Sequence, residues 1–314
     1  MAIAGATNPL LTIVVPTYER PALLERCLRA LTAQDLPLDR FEVVVVDDGS
    51  AEPPRQLVQR FAQVLQVRLH EQANAGPAAA RNAGAAEARG EYIVFTDDDC
   101  LPDRRWLTVL ADVVVRNPAC AVGGRVVNAM YHELCASASQ LLIEYLYDYY
   151  NAAGAHGRFF ITSNLAFPTA SFRALGGFDA AFPLAAAEDR DMCERWREEG
   201  YDMVYAEGAI VRHAHSLELR SFCRQHFTYG RGAYHLQQAR VRRGQLAGLR
   251  REPMQFYLGL LRYPLSRGWG ARALAQSALL GLSQGVYVLG YLTERSAARR
   301  QRTRREASAV AQGA

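Results

Sequence analysis

The chain has 314 residues, of which 22% are charged and 50% hydrophobic, a composition typical of a globular protein with one large or two modest domains. All 36 basic residues are arginine, which excludes a Schiff-base lysine, a pyridoxal phosphate anchor and the lysine of a P-loop. We attribute the missing lysine to codon bias in an Ala-, Arg- and Gly-rich sequence, and draw no function from it.

The net charge of +4 is unevenly distributed along the chain. Residues 1–210 contain 18 Arg and 28 acidic residues, a balance of −10, whereas residues 211–314 contain 18 Arg and 4 acidic residues, a balance of +14. An acidic front suits a cation, and a basic rear suits phosphates or an anionic membrane surface. We expect no nucleic-acid partner, because no zinc finger, basic zipper or other recognition pattern accompanies the arginines.

The six cysteines are scattered without a CxxC pair, which is typical of a reduced cytoplasmic protein and argues against a zinc knuckle or a disulfide framework. The N-terminal segment has no basic residue before its apolar run, and Pro16 interrupts that run. We therefore expect no signal peptide.

Strand and helix patterns alternate over the first hundred residues. Continuous apolar, β-branched runs predict strands at 11–15 and 41–46, a weaker pattern predicts one at 67–71, and EYIVFT predicts a fourth at 91–96. Helical patterns follow the first three strands at 21–31, 54–65 and 77–88. This order predicts an open, mostly parallel α/β sheet flanked by helices, in which ligands bind beyond the carboxyl ends of the strands.

The strand ends carry carboxylates and no glycine-rich phosphate loop, since neither GxGxxG nor GxxxxGK[ST] occurs. Asp97, Asp98 and Asp99 follow one buried strand. Carboxylates repel phosphates unless a divalent cation lies between, so this end of the sheet predicts a bridging metal. A helix N-cap would need only one aspartate. Asp97 and Asp99 can turn to the same side and share a metal with a diphosphate.

Asp47 and Asp48 end a second buried strand within DDGS. Good turn chemistry and acceptance of a hydrogen bond from a nucleobase N–H explain this pair equally well. Arg81, in NAGPAAARNAG, is either a solvated helix residue or a diphosphate contact.

The remaining chain is predicted to be mixed. A helix is expected near 103–116, a strand near 120–127, a helix at 139–150, a helix at 188–200, two short strands within 201–215, and basic helices after 220. His213 and His215 would point the same way on a strand, and such a pair can ligate metal or bind phosphate, although a lone histidine is more often structural. Glu188 and Asp189 either favour the helix dipole or supply a general base.

Several of these segments together resemble a known family. VVPTYER, VVVVDDGS, NAGPAAARNAG with GEYIVFTDDD, SNLAFPTASFRALGGFD and AEDRDMCERW occur in the order and spacing of the family 2 glycosyltransferases, which have the Rossmann-like GT-A fold. The resemblance covers about residues 10–215. It implies a GT-A catalytic domain over 1–220, with a nucleotide-sugar half at about 10–100 and an acceptor half at about 101–220.

The resemblance also implies a role for each matched residue. The nucleotide sugar would be held by Pro16, Thr17, Tyr18, Glu19, Asp47, Arg81, Asp97 and Asp98. Mg²⁺ or Mn²⁺ would be held by Asp99 as the direct ligand, with Asp97 and His213. The sugar and acceptor pocket would be lined by Asn164, Gly176, Gly177 and Phe178, although the tandem glycine also fits a tight turn. Asp189 would be the catalytic base, with Glu188 beside it.

The function implied is a metal-dependent, inverting hexosyltransferase that moves one sugar from a UDP-linked donor to a hydroxyl of a lipid, glycan, small molecule or protein. The QxxRW string of processive synthases is absent, which favours single transfers. Two alternatives are kept. A sugar-nucleotide nucleotidyltransferase would usually carry a lysine-bearing glycine loop, which PTYER lacks, and a non-catalytic nucleotide- or membrane-binding protein would need only the basic rear.

Residues 221–314 are expected to form a helical, Arg-rich extension. The segment 273–292 has no charge and is long enough to span a membrane. Its glutamines, serines and glycines, and the arginines at 295–305, favour instead an interfacial helix on the cytoplasmic face of the plasma membrane, with 254–265 as a second contact. Packing on the core, or on a second copy in a homodimer, is the alternative.

Overall fold

A computed structural model describes residues 8–151, 157–182, 184–245 and 252–312, without the side chains of 302 and 304–312. The strands are β1 (Leu11–Thr17), β2 (Phe41–Asp47), β3 (Val67–Glu71), β4 (Tyr92–Phe95), β5 (Cys100–Pro102), β6 (Ala121–Asn128), β7 (Leu165–Pro168) and β8 (Met203–His213). The helices are α1 (Pro21–Thr32), α2 (Arg55–Phe61), α3 (Pro77–Glu87), α4 (Trp106–Arg116), α5 (Leu134–Asn151), α6 (Thr169–Ala174), α7 (Glu188–Glu198), α8 (Leu219–Arg242), α9 (Met254–Arg267) and α10 (Ala271–Gln312).

The chain forms two compact units. The first contains residues up to 131, 143–181 and 189–216, and the second contains 132–142, 182–188 and the chain from 217 onward. The chain enters the second unit for the last time at residue 217, and the sequence predicts the boundary at residue 220. Two short segments of the front part also cluster with the rear helices. The first seven residues, part of the N-terminal segment expected to lack a signal peptide, lie outside the described residues.

The first unit is built on an eight-stranded sheet in the order β3-β2-β1-β4-β7-β6-β8-β5. The first four strands in this order are parallel, as the alternating patterns predict. β7 is antiparallel to both β4 and β6, and β5 is antiparallel to β8, so the sheet as a whole is mixed. Thr17 lies opposite Asp47 at the carboxyl ends of β1 and β2.

Both faces of the sheet are covered, which explains the continuous apolar runs. Ile13 and Val15 pack with α1 and α4 on one face, whereas Val14 and Val44 pack with α3 on the other. α3 is rich in small residues because it lies very close to the sheet. A Cβ at Gly84 would lie 2.4 Å from Cγ1 of Val14.

One charged side chain lies inside the valine-rich strands. Glu42 of β2 is 2% exposed, and its carboxylate accepts hydrogen bonds from Thr12 Oγ1 at 2.7 Å and from Arg89 N at 2.9 Å. Arg68 of β3 completes an ion pair with it at 2.5 Å. Burial opposes the change, but these donors lower the pKa of Glu42. The acid is therefore held as a carboxylate, with side-chain partners from β1 and β3.

The prediction of two short strands within 201–215 is wrong. β8 is a single strand that pairs in parallel with β6, where the register shifts between Gly124 and Arg125. Ala206 lies opposite Gly124 and Ile210 opposite Arg125, so the intervening residues of β8 form a bulge. Glu207 and Gly208, which resemble a turn in the sequence, lie in this bulge.

The second unit is helical, as expected for the rear of the chain. α8 and α10 lie in very close contact at two glycines: a Cβ at Gly230 would lie 1.9 Å from Tyr287 O, and one at Gly290 would lie 2.1 Å from Phe227 O. Among the described residues, one helix segment, Ala271–Gln301, is long and apolar enough to cross a membrane by length and composition, with a mean hydropathy of 1.2.

Candidate active site

The Asp97–Asp99 segment links β4 to β5, and strand pairing explains its surroundings. Cys100 at the start of β5 lies opposite His213 at the end of β8, and Ala214 N donates a hydrogen bond to Asp99 O at 2.9 Å. The segment after β8 is thereby fixed beside the acidic strand end. His213 and His215 lie on the same side with nearly parallel rings, 5.5 Å between centroids, as their spacing predicts.

Both imidazoles face the carboxylate of Asp99. His213 Nε2 lies 3.1 Å from Oδ1, and His215 Nδ1 lies 3.6 Å from Oδ2. Asp99 is only 6% exposed. Burial alone would raise the pKa of this carboxyl, but the two neighbouring imidazoles and the charge of Arg20 hold it far below its usual range. The pKa of His213 is raised: burial opposes the change, and the bond to Asp99 outweighs it.

These three side chains fit a divalent cation. One ligand atom from each of Asp99, His213 and His215 lies within 4.8 Å of the others. Asp97, Asp99 and Cys100 form a second such group. Burial raises the pKa of the Cys100 thiol well above its ordinary value, so the thiolate that a metal would need is disfavoured. The carboxylate and imidazole group is therefore the better metal site.

Asp97 is paired with Arg81, which projects from the second turn of α3. Arg81 Nη2 lies 2.8 Å from Asp97 Oδ1, and the guanidinium lies 6.0 Å from the ring centroid of Phe178. Arg81 is 5% exposed, which excludes the solvated helix residue of the first alternative. A diphosphate contact by this buried guanidinium stays a prediction.

Asp98 differs from its two neighbours because its side chain is completely buried. Oδ2 accepts a hydrogen bond from Thr17 Oγ1 at 2.7 Å, and Oδ1 lies 2.8 Å from Arg20 Nη2. The expectation that Asp98 contacts the nucleotide sugar is therefore corrected. The residue instead ties the end of β1 to the acidic segment, and Thr17 is 4% exposed for the same reason.

The loops after β1 and β2 are joined by hydrogen bonds. Glu19 has a positive φ of 56°, its N–H donates to Ser50 Oγ at 2.8 Å, and its Oε1 accepts from Ala51 N at 2.7 Å. Pro16 is buried at the end of β1, whereas Tyr18 is exposed beside this loop. Tyr18 and Glu19 thus form an accessible edge above the sheet.

The two aspartates of DDGS both accept hydrogen bonds from backbone N–H groups. Asp47 is buried and accepts hydrogen bonds from Ser50 N at 3.0 Å and from Ser50 Oγ at 2.6 Å. Asp48 accepts from Ala75 N at 2.9 Å and Gly76 N at 2.8 Å. The Asp47 contacts provide the expected turn chemistry, whereas Asp48 holds the segment before α3. A nucleobase contact by Asp47 stays a prediction.

The tandem glycine forms a turn with positive φ at both residues, 82° at Gly176 and 70° at Gly177. Asn82 makes two hydrogen bonds to the backbone of Phe178, the residue after the tandem glycine. Phe178 N donates to Asn82 Oδ1 at 2.9 Å, and Asn82 Nδ2 donates to Phe178 O at 2.8 Å. Arg195 Nη2 donates to Gly177 O at 2.6 Å. The turn is therefore rigid, with Gly176 exposed and Gly177 buried.

Two residues predicted to line the acceptor pocket are part of the core. Asn164 is completely buried, its Nδ2 donates to Arg125 O and Ala209 O at 2.9 and 2.8 Å, and its Oδ1 accepts from Trp106 Nε1 at 2.8 Å. Phe178 packs against Phe95 with ring centroids 5.0 Å apart. We correct both expectations, because neither side chain has surface left to offer a sugar.

Glu188 and Asp189 open α7. Glu188 is buried and Asp189 half-buried. Asp189 Oδ1 accepts a hydrogen bond from Arg190 N at 2.7 Å, as an acid at a helix start often does. Ala187, directly before the pair, has a φ of 73°, which is unusual for a residue with a Cβ and marks a constrained approach to the helix.

Three residues of the site were missed or not assigned from the sequence. Arg20 and Asn82 each follow an assigned residue, and their partners lie about eighty to a hundred residues away along the chain. His215 was weighed together with His213 but was not included in the metal site. The two-residue spacing of the histidines was the one signal that could have added it.

The chain is similar to known proteins in sequence and in fold. The sequence profile of glycosyl transferase family 2 matches residues 12–176. A validoxylamine A glucosyltransferase from Streptomyces hygroscopicus subsp. jinggangensis is 31% identical over 230 residues, 64% of this chain and 54% of that protein. A pre-mycofactocin glycosyltransferase from Mycobacterium tuberculosis is 29% identical over 244 residues, 73% and 48% of the two chains. The chain spans about half the length of these curated relatives.

Solved structures share the fold. The mannosyltransferase PcManGT from Pyrobaculum calidifontis, solved with GDP-Man and Mn²⁺, has a TM-score of 0.57 and 24% identity over 87% of this chain and 74% of that one. TarS from S. aureus, solved with UDP, has a TM-score of 0.51 and 18% identity over 93% and 91% of the two chains. The architecture is thus the GT-A fold, and because the profile covers more than half of its length, the chain belongs to glycosyl transferase family 2.

Proposed function

We propose that the chain is a metal-dependent, inverting glycosyltransferase that moves one sugar from a nucleotide sugar to an acceptor hydroxyl. The observation that carries the proposal is the group of Asp99, His213 and His215 beside the Arg81–Asp97 pair, at the carboxyl ends of parallel strands. Ligands bind at this edge in open α/β sheets. Membership of the family supports a transfer of glycosyl groups.

The donor is proposed to be UDP-linked. Tyr18 and Glu19 would contact the nucleoside at the exposed edge of the β1 loop, next to Asp47. The buried guanidinium of Arg81 would contact the diphosphate. Structures of related proteins with GDP-Man and with UDP support a nucleotide-sugar donor.

A divalent cation would be held by Asp99 with His213 and His215, and Asp97 lies beside them. Two imidazoles and a carboxylate suit Mn²⁺ better than Mg²⁺, which prefers oxygen ligands and water. The Mn²⁺ in the related mannosyltransferase supports the same choice. The chemistry that such an ion supplies is neutralisation of the charge that develops on the departing nucleoside diphosphate.

The acceptor would be activated by Asp189. Its carboxylate would remove the hydroxyl proton as the acceptor oxygen attacks the anomeric carbon, and the bond to the leaving diphosphate would break in the same displacement. One displacement inverts the configuration. The buried thiols do not compete as nucleophiles, because burial raises the pKa of Cys27 and raises that of Cys193 to about 12.

Transfer is proposed to end after one sugar. The residues nearest to a QxxRW string, Arg195 and Trp196, serve the fold: Arg195 secures the glycine turn, and Trp196 is fully buried in the core. We place the reaction at the cytoplasmic face of the membrane, where sugar nucleotides are available. This location accords with the strongly basic rear of the chain.

Substitution of Asp189 and Asp99 tests the proposal. With Mn²⁺, UDP should bind the native chain and Asp189→Asn equally in calorimetry, while release of UDP from a matching UDP-sugar falls at least a hundredfold in the variant. Asp99→Asn should lose the Mn²⁺ dependence of UDP binding. Asp112→Asn, an exposed residue of α4, is the matched control. Undiminished UDP release by Asp189→Asn would remove Asp189 as the base, and Mn²⁺-independent UDP binding by the native chain would remove the metal.

A further inference from the structure

Between Arg272 and Thr293, the exposed face of α10 is apolar, while the polar residues are buried or half-buried. Between Arg272 and Thr293, the exposed residues are Leu274, Ala278, Gly281, Leu282, Gly285, Val288, Leu289 and Leu292. None of them is polar. Ser283 is fully buried and donates to Leu280 O at 2.7 Å, and Gln284 is half-buried and donates to Ser283. This polarity is the reverse of that of a helix whose outer face meets water.

The exposed residues recur every three or four positions and therefore lie on one stripe of the helix. At 1.5 Å per residue, the stripe from Leu274 to Leu292 is about 27 Å long. It contains five of the exposed large apolar side chains of the described part of the chain. A continuous apolar surface of this length indicates a partner that removes it from water.

The charges around the stripe are positive. Arg267 and Arg272 lie exposed at its beginning, and Arg295 and Arg299 lie exposed beyond its end. The sequence from 253 to 305 contains a single acidic residue, Glu294. Its carboxylate is turned toward α8, where it pairs with Arg231 at 2.6 Å and His235 at 3.0 Å, so it does not offset the outer arginines.

We propose that this stripe, together with Trp269, docks in the plane of a bilayer surface that contains anionic lipids. Trp269 is 87% exposed between α9 and α10, beside the first arginines, which is the setting of an interfacial aromatic anchor. Apolar side chains would enter the acyl boundary while the arginines contact lipid phosphates. The inference deepens the membrane location proposed above and does not depend on the transferase activity.

A spanning helix fits the contacts less well. The opposite side of α10 packs on α8 through Gly230 and Gly290 and pairs with Arg231, whereas a span would need an apolar surface all round. A second copy of the chain also fits less well. In a two-fold pair of these stripes, the arginines of one copy would face those of the other, and like charges disfavour that contact.

Vesicle binding by the full chain tests the proposal. We expect binding to phosphatidylcholine vesicles that contain about one-third phosphatidylglycerol, weaker binding without it, and a blue shift of tryptophan emission, since Trp106 and Trp196 are already fully buried. The double variant Leu282→Gln with Leu289→Gln should lower the partition coefficient at least about tenfold. The matched control is Val64→Gln with Val115→Gln, two exposed valines of the first unit.

Urea unfolding of both double variants serves as the folding check, and equal midpoints are expected because all four side chains are exposed. Two results would overturn the proposal. One is vesicle binding that neither the stripe variant nor the anionic lipid changes. The other is no vesicle binding by a chain that is dimeric in solution and becomes monomeric in the stripe variant, which would make a second copy the partner.

Discussion

Arg20 Nη2 lies 2.8 Å from Oδ1 of the buried Asp98, and Arg20 Nη1 lies 3.3 Å from Oδ2 of Asp99. One guanidinium thus joins two of the three adjacent aspartates. Burial raises the pKa of Asp98 to about 7, against the opposing effects of Arg20 and Thr17. The buried carboxyl of Asp98 is therefore close to half-protonated at neutral pH, and the charge of Arg20 stabilises its ionised form.

We expect Arg20→Gln, but not Asp98→Asn, to lower the stability of the chain at pH 8. The folded pKa of Asp98 lies above its ordinary value of 3.8, so its contribution to stability is present below that value and is lost as pH rises through about 7. Arg20→Gln should lower the free energy of unfolding by about 1 kcal/mol, since Arg20 is half exposed and its pairing is screened. Asp98→Asn should leave it unchanged or raise it.

Urea titrations at pH 8 and pH 5 measure both effects. At pH 5, where Asp98 is protonated in the folded state, the loss caused by Arg20→Gln should shrink. If Asp98→Asn were strongly destabilised at pH 8, the carboxylate would be a net stabilising group, contrary to this expectation.

His215 is expected to contribute to Mn²⁺ affinity as much as His213. Its Nδ1 lies within 3.6 Å of Asp99, and removal of one of three ligands should weaken Mn²⁺ binding at least about tenfold. His215→Ala is compared with His213→Ala by calorimetry without any sugar donor. His70→Gln is the control, since His70 pairs with Glu87 in another part of the sheet. Full Mn²⁺ affinity in His215→Ala would limit the metal site to the residues predicted from the sequence.

His226 of α8 is expected to make the second unit sensitive to acid. Burial lowers the pKa of His226 from 6.5 to about 4, and its Nε2 has no hydrogen-bond partner among the described residues. Its stabilising contribution is therefore present above about pH 6.5 and is lost as pH falls toward 4. The native chain should lose about 2 kcal/mol more than His226→Leu between pH 7 and 5. Parallel pH slopes for the two proteins in urea unfolding would contradict this assignment.

Gly230→Ala should destabilise the second unit, because the added Cβ would lie 1.9 Å from Tyr287 O in α10. A loss of about 2 kcal/mol or more is expected, since backbone cannot move aside as a flexible side chain can. Gly285→Ala is the matched control, because nothing lies within 4 Å of its added Cβ. It should gain up to about 1 kcal/mol from helix propensity. Thermal unfolding followed by circular dichroism compares the two, and equal melting temperatures would mean that α8 and α10 can separate without cost.

The parallel half of the sheet was predictable because its signals are local. β3 spans the predicted range 67–71, and β6 differs from the predicted range by one residue at each end. The acidic ends of β2 and β4 were recognised because aspartates directly follow buried residues. The hydrophobic periodicity of a strand or helix is a property of a short segment, so it can be detected in a single sequence.

The parts that were not predictable depend on contacts between distant segments. Nothing near Asn164 shows that its amide joins Trp106, Arg125 and Ala209 inside the core. The approach of His215 to Asp99 requires β5 to pair with the end of β8, and the bulge in β8 hides that strand in the sequence. A sequence motif therefore indicates that a polar residue is important, but not whether its side chain faces a ligand or the core.

The buried Glu42 has a consequence for how the strands align. β2 contains four consecutive valines, so sliding it by two residues against β1 would exchange one valine for another at little hydrophobic cost. Glu42 meets Thr12 in one alignment only, and any other would bury its charge without that donor, at a cost of several kcal/mol. Glu42 thus selects one register among several that the valines alone would allow. That register places Thr17 opposite Asp47 at the ligand-binding edge of the sheet.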